Sequence, residues 1–75
     1  MILTGRDLAE IGQLLHGPRW RRWLASKLGK TERTIIRYED GETGIPRKVR
    51  LEILQLVKDQ KRALEKYERD LSGHV

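Results

Sequence analysis

The sequence predicts an all-α fold, a small helical bundle that ends in a long helix. Three observations lead there. Apolar residues recur at three- and four-residue spacing, glycine and proline fall where helices would stop or start, and no stretch alternates apolar and polar residues as a half-buried strand would. The 75 residues make one small domain, with no room expected for a separate ligand-sensing or catalytic domain.

Thr4 followed by Asp7 is a T-x-x-D start that resembles a capping box, with Asp in place of the usual Glu or Gln. Leu8, Ile11, Gly12 and Leu15 then share one helical face, which predicts a first amphipathic helix over residues 4–16. Gly17 suits its C-terminal cap, and Pro18 suits the first turn of the next helix. Over residues 19–28 the apolar positions are Trp20, Leu24, Ala25 and Leu28, and Gly29 closes this second helix. Thr31 is a good N-cap for a third helix, Glu32 a favourable first-turn charge, and Asp40-Gly41 its stop. Pro46 suits a fourth start. No Gly or Pro interrupts the chain from there to Leu71, while Val49, Ile53, Leu56, Val57, Leu64, Tyr67 and Leu71 carry the period, so one long helix is expected, or two with a break near Lys58. Residues 72–75 look frayed.

Sixteen Lys and Arg against eleven Asp and Glu give a net charge of +5. The excess is not spread evenly: residues 19–50 hold ten basic and four acidic groups, and residues 51–75 hold five of each. Basic charge gathered in one segment is expected of a face for a polyanion. With no cysteine, disulfides and thiolate metal sites are excluded. No long apolar run or signal peptide is evident, so the expectation is a cytoplasmic protein without a membrane partner.

Two short helices joined by a tight, glycine-containing turn form a helix-turn-helix, whose second helix lies in the DNA major groove. Its geometry needs a small residue where the helices cross, which Ala25 supplies, and a turn residue tolerant of positive φ, which Gly29 supplies. A branched apolar plug is needed in the second helix, and Ile35 stands ten positions after Ala25 with Tyr38 one turn on. The ordered pattern L24-A25-x-x-L28-G29-x-x-x-R33-T34-I35-x-R37-Y38-E39-x-G41, then I45-P46, resembles the Cro/CI-like (XRE-type) helix-turn-helix family over roughly residues 3–57.

That resemblance implies a reading helix over residues 31–40. Thr31, Glu32, Arg33, Ile36 and Arg37 would face the groove, with Ile35 and Tyr38 in the core. Arg33 or Arg37 would take guanine O6 and N7, Glu32 would accept from cytosine N4, and Thr34 would touch a phosphate or a thymine methyl. Arg19, Arg21, Arg22, Lys30, Arg47 and Lys48 are the phosphate candidates. Arg21 stands where the family commonly has glutamine, and the C-terminal part is unlike the family's separate short fifth helix. Glu39 resembles the family's structural glutamate, for which a hydrogen-bond or ion-pair role is expected rather than DNA contact.

Trp20 shares a face with Leu24 and is expected in the core; Trp23 is expected as a half-exposed cover or a sugar-phosphate contact. His16 and His74 lack a third ligand at useful spacing, so no metal is expected. Lys61, Arg62 and Lys66, balanced by Asp59, Glu65 and Asp70, read as a solvated face. Ile53, Val57, Gln60, Leu64, Tyr67 and Leu71 alternate by four and three, the spacing of a coiled-coil seam. That seam either pairs with a second chain, the preferred reading, or folds back on the first three helices.

The expected organisation is a helix-turn-helix domain over residues 1–57 and a dimerisation extension over 58–75. The expected function is a sequence-specific DNA-binding transcriptional regulator, a homodimeric (auto)repressor on a pseudo-palindromic operator, with no cofactor and no small-molecule effector. Competing readings are a protein-interaction module that uses the C-terminal helix and a non-specific nucleic-acid architectural protein. No convergent His, Cys or carboxylate set points to an enzyme.

Overall fold

The structure, a computed structural model, describes residues 3–73. Four helices follow in order: α1 Gly5–Leu15, α2 Trp20–Leu28, α3 Glu32–Asp40 and α4 Arg47–Ser72. No strand occurs among the described residues, so the predicted all-α fold with its long last helix is the one that forms.

The start of α1 is a complete capping box even with aspartate in it. The Asp7 amide donates to Thr4 Oγ1 at 3.1 Å, and the Thr4 amide donates to Asp7 Oδ2 at 3.2 Å. Glycine on this helix serves close approach: a Cβ at Gly12 would overlap the Trp20 indole, and one at Gly5 would overlap the Glu39 carbonyl. Those two gaps let α1 settle against α2 and the end of α3. The turn between α2 and α3 depends on Gly29, whose φ of 65° is left-handed and which caps Ala25 and Ser26 through its amide. Only residues 29–31 separate the two helices, and the Thr31 hydroxyl accepts from the Thr34 amide at 3.2 Å to start α3.

Leu8, Trp20, Leu24, Ala25, Ile35, Tyr38, Val49 and Ile53 form the core, with Leu3, Ile11, Trp23, Leu28, Ile45, Leu56 and Val57 packed around it. Every helix contributes, but α4 does so only through its first half. From Lys58 to Gly73 each residue is exposed, and the molecule is elongated, 48 × 25 × 20 Å, because that half of α4 projects from the body. The helix has no break near Lys58 and runs on through Ser72.

The seam expectation needs correcting at its upper end. Ile53 is only 2% exposed and belongs to the chain's own core, and Val57 is half-buried against it. Burying these two residues on α1 to α3 completes the core of a body that has only three short helices. Gln60, Leu64, Tyr67 and Leu71 remain exposed. His74 lies outside the described residues.

Candidate nucleic-acid interface

The sequence of α3 puts one face into the body and leaves the other open. Ile35 at 0% and Tyr38 at 7% exposure hold the helix down. A step of about 100° per residue turns Ile36 away from Ile35, and Ile36 is 39% exposed beside Arg33 and Arg37. Thr31, Glu32, Arg33, Ile36 and Arg37 all lie on the exposed side. Thr34 is half-buried and its hydroxyl sits 3.0 Å from that of Thr31, so it also helps to build the N-terminus of the helix.

Arg37 also lies near Glu42 of the following turn, Nε to Oε2 at 3.8 Å. Both side chains are well exposed, and such a loose pair contributes little. The Arg37 guanidinium therefore stays free to move toward a partner.

Arg21 does not. Its Nε donates to Glu39 Oε1 at 2.6 Å and its Nη2 donates to Glu39 Oε2 at 2.7 Å, a bidentate bond from α2 to α3. The guanidinium also lies over the Trp20 ring, 4.8 Å from its centroid. The hydrogen bond from Arg21 holds the Glu39 carboxyl below its ordinary pKa against the opposing effect of burial, and the same bond raises Arg21. Arg21 is thus a strut between the two helices, with its Nε and Nη2 engaged by a carboxylate of matching shape, and not the unengaged guanidinium that the sequence suggests. Glu39 has the ion-pair role expected of it.

The other basic side chains fall into two groups. Arg19, Arg22 and Arg21 line a shallow recess with Pro18 and Glu32, where the start of α2 faces the start of α3. Arg19 and Arg22 are exposed there, and Lys30 is exposed in the connecting turn. Arg47 and Lys48 are exposed on the first turn of α4; Arg47 borders a different surface, an apolar groove with Leu3, Ile11, Leu51, Leu54 and Arg50. Comparison with family models, with curated proteins and with solved structures gives no match. The basic recess and the open side of α3 therefore carry the functional reading by themselves.

Several features were not legible in advance. Arg50 is half-buried at the apolar groove, and its Nε is shielded without a hydrogen-bond partner among the described residues. Leu14, Leu51 and Leu54 are exposed at 85, 53 and 45%, although helical spacing alone suggests nothing unusual about them. His16 stacks on Trp23 with ring centroids 5.0 Å apart and planes 6° from parallel, which explains how Trp23 is half-covered. No group of three or more His, Cys, Asp or Glu able to hold a metal occurs among the described residues, and no described helix is long and apolar enough to cross a membrane.

Proposed function

We propose that this chain is a sequence-specific DNA-binding transcriptional regulator that acts as a homodimer. The observation that carries the reading is the division of α3: Ile35 and Tyr38 are sunk in the body, while Glu32, Arg33, Ile36 and Arg37 form an exposed face. A helix held in this way can enter a major groove without unfolding anything behind it. Arg33 and Arg37 then offer forks for guanine, Glu32 an acceptor for cytosine N4, and Ile36 an apolar surface for a thymine methyl. Arg19, Arg22 and Lys30 flank the helix and fix its register on phosphates, with Arg47 and Lys48 as outer contacts. Repression follows from occupancy of a promoter, and control follows from the protein's own concentration.

Fluorescence anisotropy against the chain's own promoter region and a scrambled duplex, at physiological salt, tests this reading. Binding to the promoter at least 100-fold tighter than to the scrambled duplex is expected, on the order found for specific sites. Equal affinity for both would leave a non-specific architectural protein, and no binding to either would leave the interaction module suggested by the bare half of α4.

A further inference from the structure

The dimer reading leaves open how two copies meet, and the exposed half of α4 carries enough pattern to decide it. Leu64, Tyr67 and Leu71 are 61, 60 and 68% exposed on a helix in which every residue from Lys58 to Gly73 is exposed. A helical segment this short is marginal in water unless its apolar face is covered.

We propose that a second copy covers it antiparallel, with the two-fold axis crossing between Glu65 and Lys66. In this register Leu64 lies opposite the partner's Tyr67 and Gln60 lies opposite the partner's Leu71, and symmetry repeats both layers. The positions flanking the seam then place Lys61 against the partner's Glu68, and Glu68 against the partner's Lys61. Both contacts join opposite charges. Sliding the copies one layer toward the bodies sets Lys61 against its own counterpart, a like-charge contact on the axis. Parallel pairing sets Gln60 on Gln60 and brings Leu56 to the partner's Lys61 and Ala63 to the partner's Glu68, with no ion pair at all. Of the three, only the proposed register has complementary charge beside an apolar seam.

The body supplies a second argument. Leu14 and Leu15 at the end of α1 line a groove with Val57, Gln60 and Leu64, and Leu14 is 85% exposed. The partner's Leu71, arriving at Gln60, lands at that groove and gives Leu14 an apolar neighbour. The two Ile53 residues, the last buried position of each α4, then stand about 38 Å apart along the helix direction, so the two bodies lie at opposite ends of the paired helices.

Disulfide trapping is clean here because the chain has no cysteine of its own. The double variant Gln60→Cys, Leu71→Cys should give a covalent dimer on mild oxidation, while either single variant should not. Within one chain the two positions are about 16 Å apart along the helix, too far to bridge. Covalent dimer from Gln60→Cys alone, at the yield of the double variant, would overturn the antiparallel register while leaving the dimer intact.

Sedimentation of the unmodified chain answers the other question. A monomer at about 100 µM would overturn the dimer itself, whereas the reading of α3 stands or falls on the anisotropy titration. Glu68→Lys should weaken dimerisation about 5- to 30-fold, even though it sets a lysine three residues after Glu65 and so favours the helix. Adding Lys61→Glu should restore most of the loss. A dissociation constant unchanged by Glu68→Lys would overturn the proposed pairing.

Discussion

Arg21 grips Glu39 through two hydrogen bonds of 2.6 and 2.7 Å and so fastens α2 to α3 across eighteen residues of sequence. The orientation of the exposed face of α3 depends on this bond as well as on the core beneath it.

The bond makes stability depend on pH in a definite direction. The carboxyl of Glu39 is held below its ordinary value, first by the hydrogen bond from Arg21. Its contribution is therefore complete above the unfolded-state value, about 4.3, and is lost as the pH falls through the lower folded-state value. Both side chains are partly open to water, with side-chain exposures of 37% for Arg21 and 22% for Glu39, so the contribution is on the order of 1 kcal/mol. Urea unfolding should show Glu39→Gln less stable than the parent at neutral pH, with the gap closing as the pH falls below the unfolded-state value and through the lower folded-state one. A gap that stays constant would mean that the pair contributes nothing to folding.

Salt dependence should separate Arg21 from its neighbour. Each phosphate contact adds about 0.9 to the slope of log affinity against log salt. Arg22→Ala should reduce that slope by about one, whereas Arg21→Ala should destabilise the fold and leave the slope nearly unchanged. Equal slope changes for the two variants would return Arg21 to the phosphate contacts.

The adjacent isoleucines should behave as opposites. Ile35→Ala removes a fully buried side chain and should cost about 2–5 kcal/mol of stability. Ile36→Ala should change folding by less than about 1 kcal/mol and weaken DNA binding several-fold. Thermal unfolding and anisotropy on the same two proteins check both halves; a strongly destabilised Ile36→Ala would mean that its side chain supports the body.

Arg37→Ala should relax discrimination at one base pair by about 1–3 kcal/mol, read from a panel of duplexes substituted at each position. Its loose pair with Glu42 is too weak to mask the loss. A uniform drop across the panel would make Arg37 a phosphate contact.

Gly12→Ala is expected to destabilise by about 1–3 kcal/mol, because the added methyl meets the buried Trp20 ring. Alanine's better helix propensity, worth about 1 kcal/mol, works the other way and is smaller than the overlap. A variant more stable than the parent in urea would show that Trp20 has room to shift.

Much of this molecule could be read from short-range rules. The Thr4 box, the Gly29 turn, the Thr31 cap and the division between Ile35 and Ile36 each depend on residues a few positions apart, where backbone geometry and helical period decide the outcome. The Arg21–Glu39 bond is not legible locally because the partners lie eighteen positions apart, and no local rule distinguishes a free arginine from one that a carboxylate across the bundle has claimed. Ile53 was misread for a related reason. Its four-three spacing is the same whether the residue faces its own body or a second chain, and only the number of helices available to fill the core settles which. For Gln60, Leu64, Tyr67 and Leu71, spacing and exposure agree.

α4 has a mechanical consequence. One uninterrupted helix carries Val49 and Ile53 in the body and Leu64 and Leu71 far outside it, with no glycine or proline between them to act as a joint. The projecting half cannot swivel freely on the body, so it serves as a ruler and a protractor together. One residue inserted after Lys58 would lengthen it by about 1.5 Å and turn everything beyond by about 100°. In the proposed dimer the two heads would then be thrown out of phase with the proposed duplex partner, although neither head had changed.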